Sequence, residues 1–288
     1  MKKTYIYMAT AIFCWSTVAT VTKLLLGELS SIQVLWASSF FAGLFLLIVN
    51  IATGNIRNLK SYTFKDYITA ILICFPGTFL YYMFYYAGAD ILPASQAFVI
   101  NYMWPIMCVV FACIILKEKM TVRKGIAMFV SFVGVCIVAG GELSGFGLRQ
   151  LLGVVFCILG AMSYGVFTSL NQKYQYEKRL SIMLSYFVTF ILTTVINALN
   201  GDLFPMSIGQ TIGFAWNGMF TMAVANVVWV LALSGGNTAK ISNFAYITPF
   251  LSLVWTSLVL KESIHLTSII GLVIIVSGIL IQLKKSSS

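Results

Sequence analysis

About ten apolar stretches follow one another from Tyr5 to Leu283, separated by short polar breaks. Roughly 20 apolar residues are needed for a helix to cross ~30 Å of hydrocarbon, so ten such helices use nearly the whole chain. The predicted spans are 5–26, 32–51, 66–87, 94–116, 123–140, 150–171, 180–200, 210–233, 238–260 and 266–283. Too little sequence remains for a soluble catalytic or binding domain. Any function must lie inside the bundle, which leaves carriers, channels, intramembrane enzymes and membrane scaffolds. Composition agrees: only 9% of residues are charged, against about 25% in a soluble domain. The first segment is long for a secretory leader and lacks a small-residue cleavage site, so it is read as the first span.

The net charge of +10 invites a nucleic-acid reading, but the placement of the charge argues against one. With the N-terminus inside and ten spans, 15 of the 18 basic residues fall on the cytoplasmic side; only Lys23, Arg149 and Lys261 fall outside. Basic residues in short loops are retained in the cytoplasm, and this bias sets orientation. Both termini are therefore expected to be cytoplasmic, in a bacterial cytoplasmic (inner) membrane. Membrane lipids are expected partners and nucleic acid is not.

The chain also repeats itself. Pro105 pairs with Pro249, Lys117-Glu118 with Lys261-Glu262, and Gly134 with Gly278, each 144 residues apart. Two repeats of five spans, 1–143 and 144–288, follow. An odd span number inserts the second repeat with opposite polarity. Inverted repeats are a common construction of secondary transporters, in which two halves rock about a site near the midplane. The expected fold class is all-α: a polytopic membrane protein with ten helices in two inverted five-helix repeats. Pro105 and Pro249 are expected hinges, because a mid-span proline removes one helical hydrogen bond and kinks the helix.

Tryptophan and tyrosine normally collect at the membrane–water interfaces. Trp36, Trp216 and Trp255 fit that role near the outer surface. Trp15 and Trp104 do not, since each lies about ten residues into its span, ~15 Å deep. Tyr102 is nearly as deep. Tyr81 and Tyr85 share a helix face with Tyr82 beside them, and the sixth span supplies Tyr164. Together these rings are expected to line a central cavity, with polar tips from Asn101, Asn226 and Asn243.

Asp and Glu residues sit at span ends or in loops, so the pocket is expected to be uncharged and to take a small molecule. Neutral amino acids, organic cations and small metabolites all suit it, and a desolvated ammonium over a ring gains roughly 1–2 kcal/mol. Lys23 is expected to snorkel to the outer headgroups. Cys14, Cys74, Cys108, Cys113, Cys136 and Cys157 show neither CxxC nor His spacing, so no metal or cofactor is expected. An intramembrane enzyme needs a Ser-His pair, an Asp pair or metal ligands in the bilayer; an enzyme is therefore not expected. Small residues such as Gly134 and Gly278 permit close helix contact, compatible with a monomer or weak homodimer.

The Leu116-Lys117-Glu118 and Leu260-Lys261-Glu262 pattern resembles the ten-helix drug/metabolite transporters of the EamA type, over essentially the whole chain. Asn101-Tyr102-Met103-Trp104-Pro105, Cys14-Trp15-Ser16-Thr17, Gly134-Val135-Cys136, Lys173-Tyr174 and Gly236-Asn237-Thr238 are similar to the bacterial aromatic amino acid exporter subgroup. The resemblance implies an inner-membrane exporter or facilitator of amino acids working by alternating access. It also implies substrate contacts from Trp15, Tyr81, Tyr82, Tyr85, Tyr102 and Trp104. Tyr164 stands where that subgroup typically has tryptophan, and Tyr82 where it can have histidine. An exporter of other small metabolites or cationic drugs is the alternative.

Overall fold

A computed structural model describes residues 2–140, 147–174, 176–203, 205–228 and 247–283. The description below applies to those residues, which form helices and no strand. Lys2–Ser16 (α1) and Val18–Leu26 (α2) make the first span, and Ser31–Ala52 (α3) the second. The third runs through Phe64–Phe75 (α4), a π-helical turn at Pro76–Leu80, and Tyr81–Ile91 (α5). Ala94–Asn101 (α6) and Trp104–Ile115 (α7) share the fourth, and Val122–Gly140 (α8) is the fifth. Leu148–Lys173 (α9), Lys178–Asn200 (α10) and Ile208–Ala215 (α11) follow, the last continuing through a π-helical segment at Trp216–Val224. Ile247–Leu260 (α12) and Leu266–Leu283 (α13) complete the chain. Seven of the continuous helical stretches are long and apolar enough to cross a membrane, and α12 and α13 are shorter apolar helices. The 143/144 boundary of the expected repeats lies outside the described residues.

The bundle exposes apolar side chains, as lipid requires, and buries polar groups between helices within a largely apolar core. Leu72, Phe129, Ile191 and Leu258 are exposed on its surface. Inside, Asn217 donates through Nδ2 to the Ser38 and Tyr86 hydroxyls at 3.0 and 2.7 Å, and the hydroxyls of Thr78 and Ser185 meet at 2.6 Å. Hydrocarbon offers no alternative partner for these groups, so they bond between helices.

The most extensive helix packings all join the first half of the sequence to the second. Helix α3 packs on α10, α5 and α7 pack on α9, α8 packs on α13, and α1 packs on α12. The α8–α13 contact shows how this is done. A Cβ added to Gly134 would lie 2.8 Å from the Gly271 carbonyl oxygen, and one added to Gly278 would lie 2.7 Å from that of Ala127. The backbones touch because both sites lack a side chain. Gly278 follows Gly134 by 144 residues, and Gly271 follows Ala127 by the same interval.

Candidate functional site

Interruptions of the spans build the site. The first span breaks at Thr17, where the Ser16 and Thr17 hydroxyls bond back to the Phe13 and Cys14 carbonyls at 2.8 Å each. Such bonds compete with the helical ladder. Two indoles lock the break: Trp216 Nε1 donates to Thr17 Oγ1 at 2.9 Å and Trp255 Nε1 to Ser16 Oγ at 3.0 Å. Trp216 and Trp255, expected as interfacial anchors, thus bind the hydroxyls of buried residues between helices. Trp36 likewise donates to Thr194 Oγ1, at 2.8 Å.

In the fourth span the helix stops at Tyr102–Met103 and restarts at Trp104. Pro105 therefore occupies the first turn of α7 rather than kinking a continuous helix. That position suits proline, because its missing N–H has no helical partner there anyway. Pro249 lies buried in α12, which directly follows residues outside the description. The third span carries its π-helical turn at Pro76–Leu80, directly before Tyr81 and Tyr82.

These breaks converge on a chamber of about 60 Å³. It is lined by Trp15, Tyr81, Tyr82, Asn101, Tyr102, Trp104, Tyr164 and Asn226, all selected from the sequence, together with Val18, Phe98 and Thr248. The rings form a continuous chain, edge-to-face at every contact but the tilted one between Tyr164 and Tyr81. Tyr102 meets Trp104 at 6.1 Å between centroids, Trp104 meets Tyr164 at 5.1 Å, Tyr164 meets Tyr81 at 5.2 Å and Tyr81 meets Tyr82 at 4.8 Å. Asn101 Nδ2 donates to the Tyr81 hydroxyl at 3.0 Å. The oxygens Asn101 Oδ1 and Thr248 Oγ1 are buried with no hydrogen-bond partner among the described residues, a state that marks room for water or a ligand's polar atoms. No carboxylate lines the chamber among the described residues.

Two expectations stand differently. Tyr85 does not line the chamber; it is fully buried and stacked on Tyr81 at 6.1 Å. Helix α9 presses so closely through Gly160 that an added Cβ would lie 3.3 Å from the Tyr81 carbonyl oxygen. That approach leaves Tyr85 in the wall. Asn243 lies outside the described residues.

The missed residues had signals. Phe98 is one turn before Tyr102 and packs against it at 6.2 Å. Thr248 occupies the position that a 144-residue shift assigns to Trp104.

A second cavity of about 540 Å³ shares Trp15, Trp104, Tyr164 and Asn226 with the chamber and continues past Phe167 and Asn171 to Glu177, Lys178 and Arg179. Its volume is that of a small-molecule site, while the chamber holds only a few waters. The vestibule thus has room for a small molecule and reaches the rings through Trp15, Trp104 and Tyr164. Both Glu177 oxygens are engaged, Oε2 by the Leu180 N–H at 2.8 Å and Oε1 by Arg179 Nε at 3.2 Å.

At the other end of the bundle Lys23 departs from the snorkelling expectation. Its Nζ donates to the Ala89 and Leu92 carbonyls at 2.6 and 2.8 Å, capping the end of α5. The C-terminal carbonyls of a helix are favourable partners for a cation. Beside it, the Glu262 carboxylate accepts from the Ala94 and Ser95 N–H groups at 2.8 and 3.1 Å and from Ser95 Oγ at 2.9 Å.

Comparison with known proteins adds the following. The profile of the EamA-like transporter family matches residues 2–140 and again 151–283. The chain is similar to an aromatic amino acid exporter, YddG, of Ancylobacter novellus, with 22% identity covering 84% of each chain. It is also similar to an S-adenosylmethionine uptake transporter of Rickettsia prowazekii, with 24% identity covering 60% of this chain and 58% of that one. A solved crystal structure shares the fold with a TM-score of 0.67, at 16% identity, covering 98% of this chain and 96% of the other.

Proposed function

The chain belongs to the EamA-like transporter family, and on that premise we propose that it carries amino acids, aromatic and other neutral ones, across the bacterial cytoplasmic membrane by alternating access. The observation that carries this reading is the ring-lined, carboxylate-free chamber at the inner end of the vestibule. An amino acid enters the vestibule from the Lys178 side, which the basic-residue bias assigns to the cytoplasm. Its side chain reaches the edges of Tyr81, Trp104 and Tyr164. Its ammonium is held by ring faces and by polar atoms such as Asn101 Oδ1.

Rocking of two oppositely inserted halves is supported by paired packings. Helix α7 packs on α9 as α12 packs on α1, and α3 packs on the Trp216–Val224 segment as α10 packs on α4. A shift of five spans carries one member of each pair onto the other. With no carboxylate in the chamber among the described residues, flux is downhill and driven by the substrate gradient.

The test is exchange of radiolabelled phenylalanine in proteoliposomes, with and without a pH gradient. Uptake that equilibrates equally in both supports the reading, and accumulation driven by the gradient overturns its uniport part. Trp104→Ala removes a ring that lines both cavities and should cut transport by more than about tenfold, the effect of losing ~1.4 kcal/mol. The variant should still purify as a folded protein.

The second reading is carriage of other small metabolites or cations. It is favoured by the aromatic chamber and by the S-adenosylmethionine relative, since that compound is a sulfonium cation suited to ring faces. Competition of phenylalanine against a panel of organic cations separates the two.

A further inference from the structure

Glu262 is the only acidic residue that, among the described residues, binds the backbone at the start of another helix's first turn from the opposite half of the sequence. The helix that it holds is α6, whose eight residues are all buried. Helix α6 runs from the Glu262 contact to the chamber, which it lines through Phe98 and Asn101. Lys23 holds the adjacent end of α5, so the α5–α6 corner is clasped from both sides. The charge of Glu262 also bears on the Lys23 ammonium. The vestibule opens at the opposite end, beside Lys178, and neither Lys23 nor Glu262 lines it.

We propose that Glu262 and Lys23 form a latch that shuts the outward path from the chamber in this conformation, and that its release opens that path. The inference rests on the alternating-access reading given above. The chemistry suits a reversible contact. Glu262 is half-buried; a carboxylate bonded to helix N–H groups there is held by charge-assisted bonds, yet water can take over the same groups once the contact parts. The two arrangements are then close enough in free energy for a transport cycle to alternate between them. The contact also spans halves, 168 residues from Ala94 to Glu262, so a relative movement of the halves must break it.

The experiment places a reporter, Phe98→Cys, in the full chain and reads its reaction with a membrane-impermeant maleimide, with labelling of the native cysteines subtracted. In right-side-out vesicles the reporter should label slowly. Adding Glu262→Ala should raise that rate about tenfold or more by populating the outward-open state. Glu262→Gln and Lys23→Gln should give smaller increases. In inverted vesicles, where the reagent enters through the vestibule, the same variants should label no faster than the parent. Should Glu262→Ala fail to fold, the two milder variants are read in its place. An unchanged outside rate in folded protein overturns the latch, and a rise from both sides overturns it too, by marking Glu262 as a static brace. Labelling needs no substrate, so a wrong substrate assignment leaves this result standing, while failed phenylalanine exchange would count only against the proposed function.

Discussion

The two Leu-Lys-Glu turns, 116–118 and 260–262, begin from the same residues and reach different ends. In both, lysine adopts the left-handed conformation, with φ of 58° at Lys117 and 59° at Lys261. These are the two non-glycine residues with positive φ among those described. The carboxylates that follow differ. Glu262 is drawn onto the N-terminus of α6, whereas Glu118 pairs with Lys124 at 3.0 Å with its side chain 50% exposed. Local sequence thus sets the turn, and the packing of distant helices decides what its carboxylate holds. The residues that a 144-residue shift pairs with Ala94 and Ser95, Thr238 and Ala239, lie outside the described residues.

Substitutions can break or sharpen this comparison. The largest effect belongs to the contact where the halves are most alike. Gly134→Val and Gly278→Val each drive a side chain into a facing backbone carbonyl, and each should cost about 2–4 kcal/mol. Loss of monodisperse protein and a lowered Tm are the measurements, and a clear difference between the two variants would argue against equivalent halves. Next comes Glu118→Ala. A partly exposed ion pair is worth about 0–1 kcal/mol, so Tm should barely move and outside labelling of the Phe98→Cys reporter should stay at the parental rate. If this variant opened the outer path as Glu262→Ala is expected to, the assignment of the latch to one end would be wrong. The smallest effect is expected from Lys117→Gly and Lys261→Gly. Glycine relieves the left-handed strain but adds freedom to the unfolded chain, so each should shift stability by less than about 1 kcal/mol, in the same direction. Opposite signs in thermal unfolding would show that the turns share a φ value and little else.

Much of the chamber was legible from depth alone. Counting residues into an apolar span placed Trp15, Tyr102 and Trp104 far from either interface, where a ring with a polar tip is out of place unless it faces the interior. The structure brings them together with Tyr81, Tyr82 and Tyr164. Tyr85 shows the limit of that argument. It shares a helix face with Tyr81, but the approach of α9 at Gly160 seals it in the wall. Pro105 shows another, since a proline in mid-span can begin a helix as readily as bend one. The sequence shows Lys23 and Glu262 only as residues at the ends of their spans, because nothing near them reveals their partners, which lie 66 to 168 positions away.

Hydropathy, basic-residue placement and the 144-residue repeat belong to the sequence by itself, because they are one-dimensional consequences of a ~30 Å hydrocarbon slab. They fix a helical membrane bundle and single out Trp15, Tyr102 and Trp104 as rings set far into their spans. Which rings share a cavity, where the spans break and which end is clasped were decided by tertiary structure alone. Those outcomes depend on backbone contacts and hydrogen bonds between helices far apart in the chain, whose unmet polar groups the membrane cannot satisfy.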